Sequence, residues 1–140
     1  MNLLIGFMHS LEKQLLIQVA KSWNNLDVSF IENLLADDFT YESQWVFSPI
    51  RGKDNFLPYL KSKFQAFTTA IKDSGMQVYA ELAIHPDLKG KDCIVLTQIT
   101  GQEVISVLIV IELINDLISR IDICFIPDPN TATLSGIQPN

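Results

Sequence analysis

The sequence predicts an α+β domain in which a curved antiparallel sheet carries on one face a long helix and two further helices that precede it. Three observations predict it. Apolar residues recur at helical spacing through the first half of the chain and stop at Ser74-Gly75. The second half alternates apolar and polar residues and is rich in valine and isoleucine. That half is also punctuated by the short turns Thr100-Gly101 and Asn115-Asp116, of the kind that close hairpins. Segregating helices from strands in this way puts the helices on one face of the sheet.

Ser10 is a candidate N-cap, and Leu11, Leu15, Leu16, Val19, Ala20 and Trp23 follow on one helical face until Asn24-Asn25 ends the segment. Asp27 is placed to cap a second, shorter helix burying Val28, Ile31, Leu34 and Leu35. Phe39, Tyr41 and Ser43 then alternate with Thr40, Glu42 and Gln44, the period of a strand with an aromatic face, and Trp45 and Phe47 continue into a loop ending at Pro49. The longest helix is expected to start at an Asp54 cap. Phe56, Leu60, Phe64, Phe67 and Ile71 form its inner stripe, Lys53, Lys61, Lys63 and Lys72 its solvated face, and Gly75 its stop.

Counting outward from the two turns gives a register for the strands at 93–99, 102–114 and 117–126. It pairs Glu112 with Ser119, Val110 with Ile121 and Leu108 with Ile123, all on one face. Cys93 joins that face, while Arg120, Asp122 and Cys124 lie opposite with Val107, Ile109 and Ile111, so the two cysteines are not expected to pair. The strand apolar on both faces at 104–111 then needs a second cover, which a homodimer through the sheet would supply. The domain is read as residues 1–129, with 130–140 a flexible tail.

Composition narrows the function. The 140 residues carry a net charge of −6, and the most basic segment, 41–75, reaches only +2, so nucleic acid is excluded as a partner. The apolar start of the chain lacks a basic n-region, and no segment is long enough to span a bilayer, so a cytoplasmic protein without membrane attachment is expected. Two cysteines without metal-ligand spacing suggest reduced thiols, and neither a metal set nor a glycine-rich phosphate loop calls for a cofactor.

Trp23-Asn24-Asn25-Leu26-Asp27, Leu35-Ala36-Asp37-Asp38-Phe39-Thr40-Tyr41-Glu42, Arg51-Gly52-Lys53-Asp54 and the closing Ile126-Pro127-Asp128-Pro129, in this order, resemble the nuclear transport factor 2-like superfamily. That superfamily is cystatin-like in fold and includes the SnoaL-like polyketide cyclases and the ketosteroid isomerases. The resemblance implies a cone-shaped, curved antiparallel sheet wrapped around the long helix, with a pocket between sheet and helices that is used across the superfamily for isomerases, cyclases, dehydratases, epoxide hydrolases and noncatalytic binding. It also locates where ketosteroid isomerase chemistry would sit, at Ser43, Ala20 and near Val110, none of which carries the needed group. The leading reading is therefore a pocket that binds an apolar or amphipathic small molecule against Phe39, Tyr41, Ser43, Trp45, Phe47, Tyr59 and Phe64. A second reading is a SnoaL-like isomerase, cyclase or lyase with Glu112 as general acid or base. A third is an association module that dimerises through the sheet. His9 lies ahead of the first helix, His85 is read as a surface residue at a strand end, and Arg120 with Asp122 as an ion pair on the outer face.

Overall fold

Ser10 opens the first helix, α1 (Leu11–Asn25), with its hydroxyl accepting from the Lys13 amide at 3.1 Å. The structure is a computed structural model that describes residues 10–44 and 48–140. Leu15, Leu16, Val19, Ala20 and Trp23 are buried along one face of α1, and Leu26 closes it in the left-handed conformation. Asp27 caps the next element as expected, yet that element is one 3-10 turn, Val28–Phe30, and not a helix. Short helices are marginal without packing. Here the sheet competes for the chain: the Leu34 carbonyl accepts from the Ile118 amide at 2.8 Å, and β1 begins at Leu35.

β1 (Leu35–Ser43) and the two-residue β2 (Ile50–Arg51) lead into α2 (Lys53–Ser74). Gly52, with φ 90°, takes the N-cap position assigned to Asp54, which lies in the first turn and meets the positive end of the helix there. Gly75 ends α2 in the left-handed region, as its sequence indicates. β3 (Gln77–Ile84), β4 (Asp92–Thr100), β5 (Glu103–Ile114) and β6 (Leu117–Cys124) form the antiparallel meander, and β7 (Thr133–Leu134) pairs with β3. The order across the seven strands is β2-β1-β6-β5-β4-β3-β7. β1 runs parallel to β6, so the sheet is mixed and not wholly antiparallel.

The register differs from the expected one on both sides of β5, by two residues in its pairing with β4 and by one in its pairing with β6. Between β4 and β5 the turn residues are Gly101-Gln102, because Thr100 pairs with Glu103. Between β5 and β6 the turn is Asn115-Asp116, both at positive φ, but an irregularity after Glu112 leaves Ser119 as an extra residue. Ile111 therefore pairs with Ile121, Ile109 with Ile123 and Glu112 with Arg120. A one-residue slip exchanges the faces of a strand. Val107, Ile109, Ile111, Ile121 and Ile123 consequently belong to the buried cluster with α1 and α2, and Glu112 is exposed on the opposite face with Val110 and Arg120. The row that seemed to require a partner subunit is covered by the chain's own helices. Cys93 and Cys124 both lie on the outer face, contrary to the expected opposition; they are free, with β5 running between their strands. Burial pushes the Cys93 thiol up to about 11.

The outer face has a small core of its own, in which Ala83, Cys93, Val95 and Leu108 are buried beneath Leu88 and Ala132. Residues 130–140, expected as a tail beyond the domain, are placed on the sheet to provide part of this cover. Three polar side chains hold them. His85, fully buried and not at the surface, accepts from the Asp87 amide through Nδ1 at 3.0 Å, which leaves the proton on Nε2. That nitrogen faces the Asp128 carbonyl at 2.8 Å and the Thr131 hydroxyl at 2.7 Å. The buried Glu81 carboxylate accepts from the Gly136 amide at 2.8 Å and from the Gln138 side chain at 3.3 Å. Asn24 on α1 bonds both backbone groups of Ala80 and donates to the Pro139 carbonyl at 2.6 Å.

Candidate functional site

The concave face of the sheet and α2 leave between them a cavity of about 80 Å³. Its apolar wall includes Trp23 from α1, Phe67 from α2 and Leu96, Val107 and Ile123 from the sheet. These are inward positions of their strands, so the observed register is what creates the wall. Four polar side chains interrupt it: Tyr41 and Ser43 from β1, Lys63 from α2 and Gln98 from β4.

Three of these form one group with Tyr59. Tyr41 is only 3% exposed, and its hydroxyl is hydrogen-bonded to those of Tyr59 and Ser43. Burial holds the Tyr41 phenol well above the ordinary tyrosine range, with the Tyr59 phenol adding to the effect and the Ser43 hydrogen bond opposing it. The Tyr41 ring sits between Phe56 and Tyr59, with centroids at 5.0 and 5.5 Å, which fixes where the hydroxyl points. On α2, Tyr59, Lys63 and Phe67 are spaced by four residues and share one face. The Lys63 ammonium lies over the Tyr59 ring at 5.7 Å from its centroid.

Of the residues expected to bind a ligand, Tyr41 and Ser43 line the cavity, and Tyr59 adjoins it through Tyr41. Phe39 and Phe64 do not line it: Phe39 packs on Phe56 at 4.7 Å, and Phe64 meets Trp23 edge-on at 5.0 Å. Trp45 and Phe47 lie outside the described residues. Glu112 is not in the cavity, because the Ser119 irregularity turns it to the other face. Sequence reasoning missed Lys63, Gln98, Phe67 and Trp23 as lining residues. The 59/63/67 spacing, one residue short of the 60/64 stripe, was the signal for two of them.

Ala20 is fully buried, and Val110 lies on the outer face. No carboxylate lines the cavity among the described residues, and among them no cluster of His, Cys, Asp and Glu could hold a metal. Arg120 is on the outer face as expected, pairing with Asp122 at 2.9 Å and with Glu42 at 2.6 Å; both carboxylates keep the guanidinium above its ordinary range. Among the described residues no helix is long and apolar enough to cross a membrane.

A mixed curved sheet closed on one side by two helices around a small cavity defines a class of α+β pocket fold. Known structures identify it as the nuclear transport factor 2-like fold. A steroid delta-isomerase from Pseudomonas aeruginosa is similar over 83% of this chain and 80% of its own, with a TM-score of 0.58 at 14% identity. A SnoaL-like protein of unknown function from Burkholderia thailandensis matches 92% of this chain and 98% of its own, with a TM-score of 0.55 at 17% identity. A nuclear transport factor 2-like protein of unknown function from Cytophaga hutchinsonii matches 85% and 93%, with a TM-score of 0.56 at 11% identity. At these identities the likeness is one of fold. No family model matches the sequence, and no curated protein matches it.

Proposed function

We propose that the protein binds a small apolar or amphipathic molecule in the cavity between the sheet and α2. The observation that carries this reading is the joining of an aliphatic and aromatic wall to a cluster of hydroxyls and one ammonium around a single cavity. The volume of about 80 Å³ is well below the roughly 300 Å³ at the lower end of drug-sized sites, so the occupant is a short chain or a single ring. The free thiols Cys93 and Cys124 support a reducing, cytoplasmic location.

Catalysis by Glu112 is set aside because that carboxylate is exposed on the far face of the sheet. A steroid delta-isomerase shares the fold, but the polar groups lining this cavity are hydroxyls, an amide and an ammonium, with no carboxylate base among the described residues. Native mass spectrometry of the purified protein, with and without added small-ring and short-chain compounds, tests the reading. Bound mass is expected in the parent and lost in Val107→Phe, which fills the cavity. Equal binding by the folded Val107→Phe variant would place the ligand elsewhere.

A further inference from the structure

We infer that the molecule the cavity accepts is an anion, a short apolar carboxylate whose head group sits among Lys63, Tyr59, Tyr41 and Ser43. This rests on the cavity being the binding site. Lys63 is the one charged residue lining the cavity among the described residues, and its ammonium makes no ion pair with any of them. Its electrostatic compensation in the structure is the face of the Tyr59 ring. Lys63 is half-buried, so its ammonium keeps water on one side and, as the single charge at the cavity, attracts a negative group that enters the space beside it. The neighbouring groups are suited to the same occupant. Tyr41 stays a neutral phenol, and the two hydrogen bonds that join the hydroxyls of Ser43, Tyr41 and Tyr59 use two of their three hydrogens, which leaves one to donate to a carboxylate oxygen.

The same arrangement argues against the other classes. An amine would face Lys63 at close range without a carboxylate among the described lining residues to receive it. A phosphate or dicarboxylate would bring a second charge to a site with one cation, in a space of about 80 Å³. The apolar wall of Trp23, Phe67, Val107 and Ile123 takes the hydrocarbon end, and the ammonium and hydroxyls take the head.

Isothermal titration at neutral pH with two matched sets tests this: butyrate, butyramide and butylamine, then benzoate, benzamide and benzylamine. The acid of at least one set is expected to bind roughly tenfold or more tightly than its amide, as for a charge-assisted hydrogen bond, with the amine weakest. Lys63→Met should collapse the acid-to-amide ratio to near one, and Lys63→Arg, which keeps the charge, should retain it. Circular dichroism confirms that each variant is folded. An amide binding as tightly as its acid, or a ratio preserved in Lys63→Met, overturns the anion inference while leaving the binding site standing. If no compound of either set binds, the cavity reading falls and this inference with it.

Discussion

Lys63 stands one helical turn beyond Tyr59 on α2, its ammonium 5.7 Å from the centre of the tyrosine ring. That pairing draws toward the cavity a lysine whose place in the sequence suggests solvent. Tyr59 in turn is hydrogen-bonded to Tyr41, so a charge on the helix and a buried hydroxyl on β1 belong to one polar group. This group distinguishes the cavity from an ordinary packing defect.

Tyr41 should make the stability of the fold sensitive to alkali. Its folded pKa is raised above the ordinary 10.0, so below about pH 10 the phenol is protonated in both folded and unfolded chains and stability is flat. Above that, the unfolded chain releases the proton first and stability falls as pH rises. Urea unfolding between pH 8 and 11 should show a steeper alkaline decline in the parent than in Tyr41→Phe. At neutral pH that variant should lose about 1 kcal/mol with its hydrogen bonds. Identical alkaline slopes would mean that Tyr41 is not buried as described.

Glu112 should be dispensable. Exposed and across from Arg120, it is far from the cavity wall, and Glu112→Gln should change stability by no more than about 0.5 kcal/mol. Titration with the cavity ligand should give the parent affinity. A large loss of affinity would restore the register in which Glu112 faces inward.

Ile109 offers the sharper test of register. It is fully buried against the helices, and Ile109→Lys places an amine in the core with no acidic partner there, a cost of at least about 4 kcal/mol. Thermal unfolding should show a collapse of the transition or an unfolded chain. A stable variant whose only change is its association state would put Ile109 on an outer interface.

Glu81 should hold the end of the chain. Its carboxylate accepts from Gly136 and Gln138, while the Leu82 backbone bonds Ser135 and Ile137. Glu81→Ala removes the acceptor and should cost about 1 to 3 kcal/mol. Hydrogen exchange should accelerate first at residues 135–138. Unchanged protection there would mean that the strand pairing alone secures this segment.

The elements were largely legible in the sequence because each has a local cause. Ser10, Gly75 and Asn115-Asp116 announce their caps and turn by chemistry that acts within a few residues. The faces of the sheet were not legible, because they depend on one irregularity at Ser119, while the first hairpin turning at Gly101 and not at Thr100 moves the pairing by two residues and leaves the faces as they were. That irregularity leaves no mark in the alternation of β5, which is apolar on both sides. The buried roles of His85 and Glu81 were also hidden, since both depend on a distant C-terminal segment folding back across the sheet. In the site, Tyr41 and Ser43 could be placed from the period of β1, whereas Lys63 required knowing that its helical stripe abuts a gap.

The most direct test of the cavity as the binding site is a methyl-resolved NMR titration with butyrate and benzoate. The account predicts that the methyl signals of Val107, Leu96 and Ile123 shift together and saturate with one affinity, while those of the exposed Val104 and Ile114 stay in place. Shifts confined to Val104, Ile114 or other exposed methyls, with Val107 and Ile123 unmoved, would contradict it.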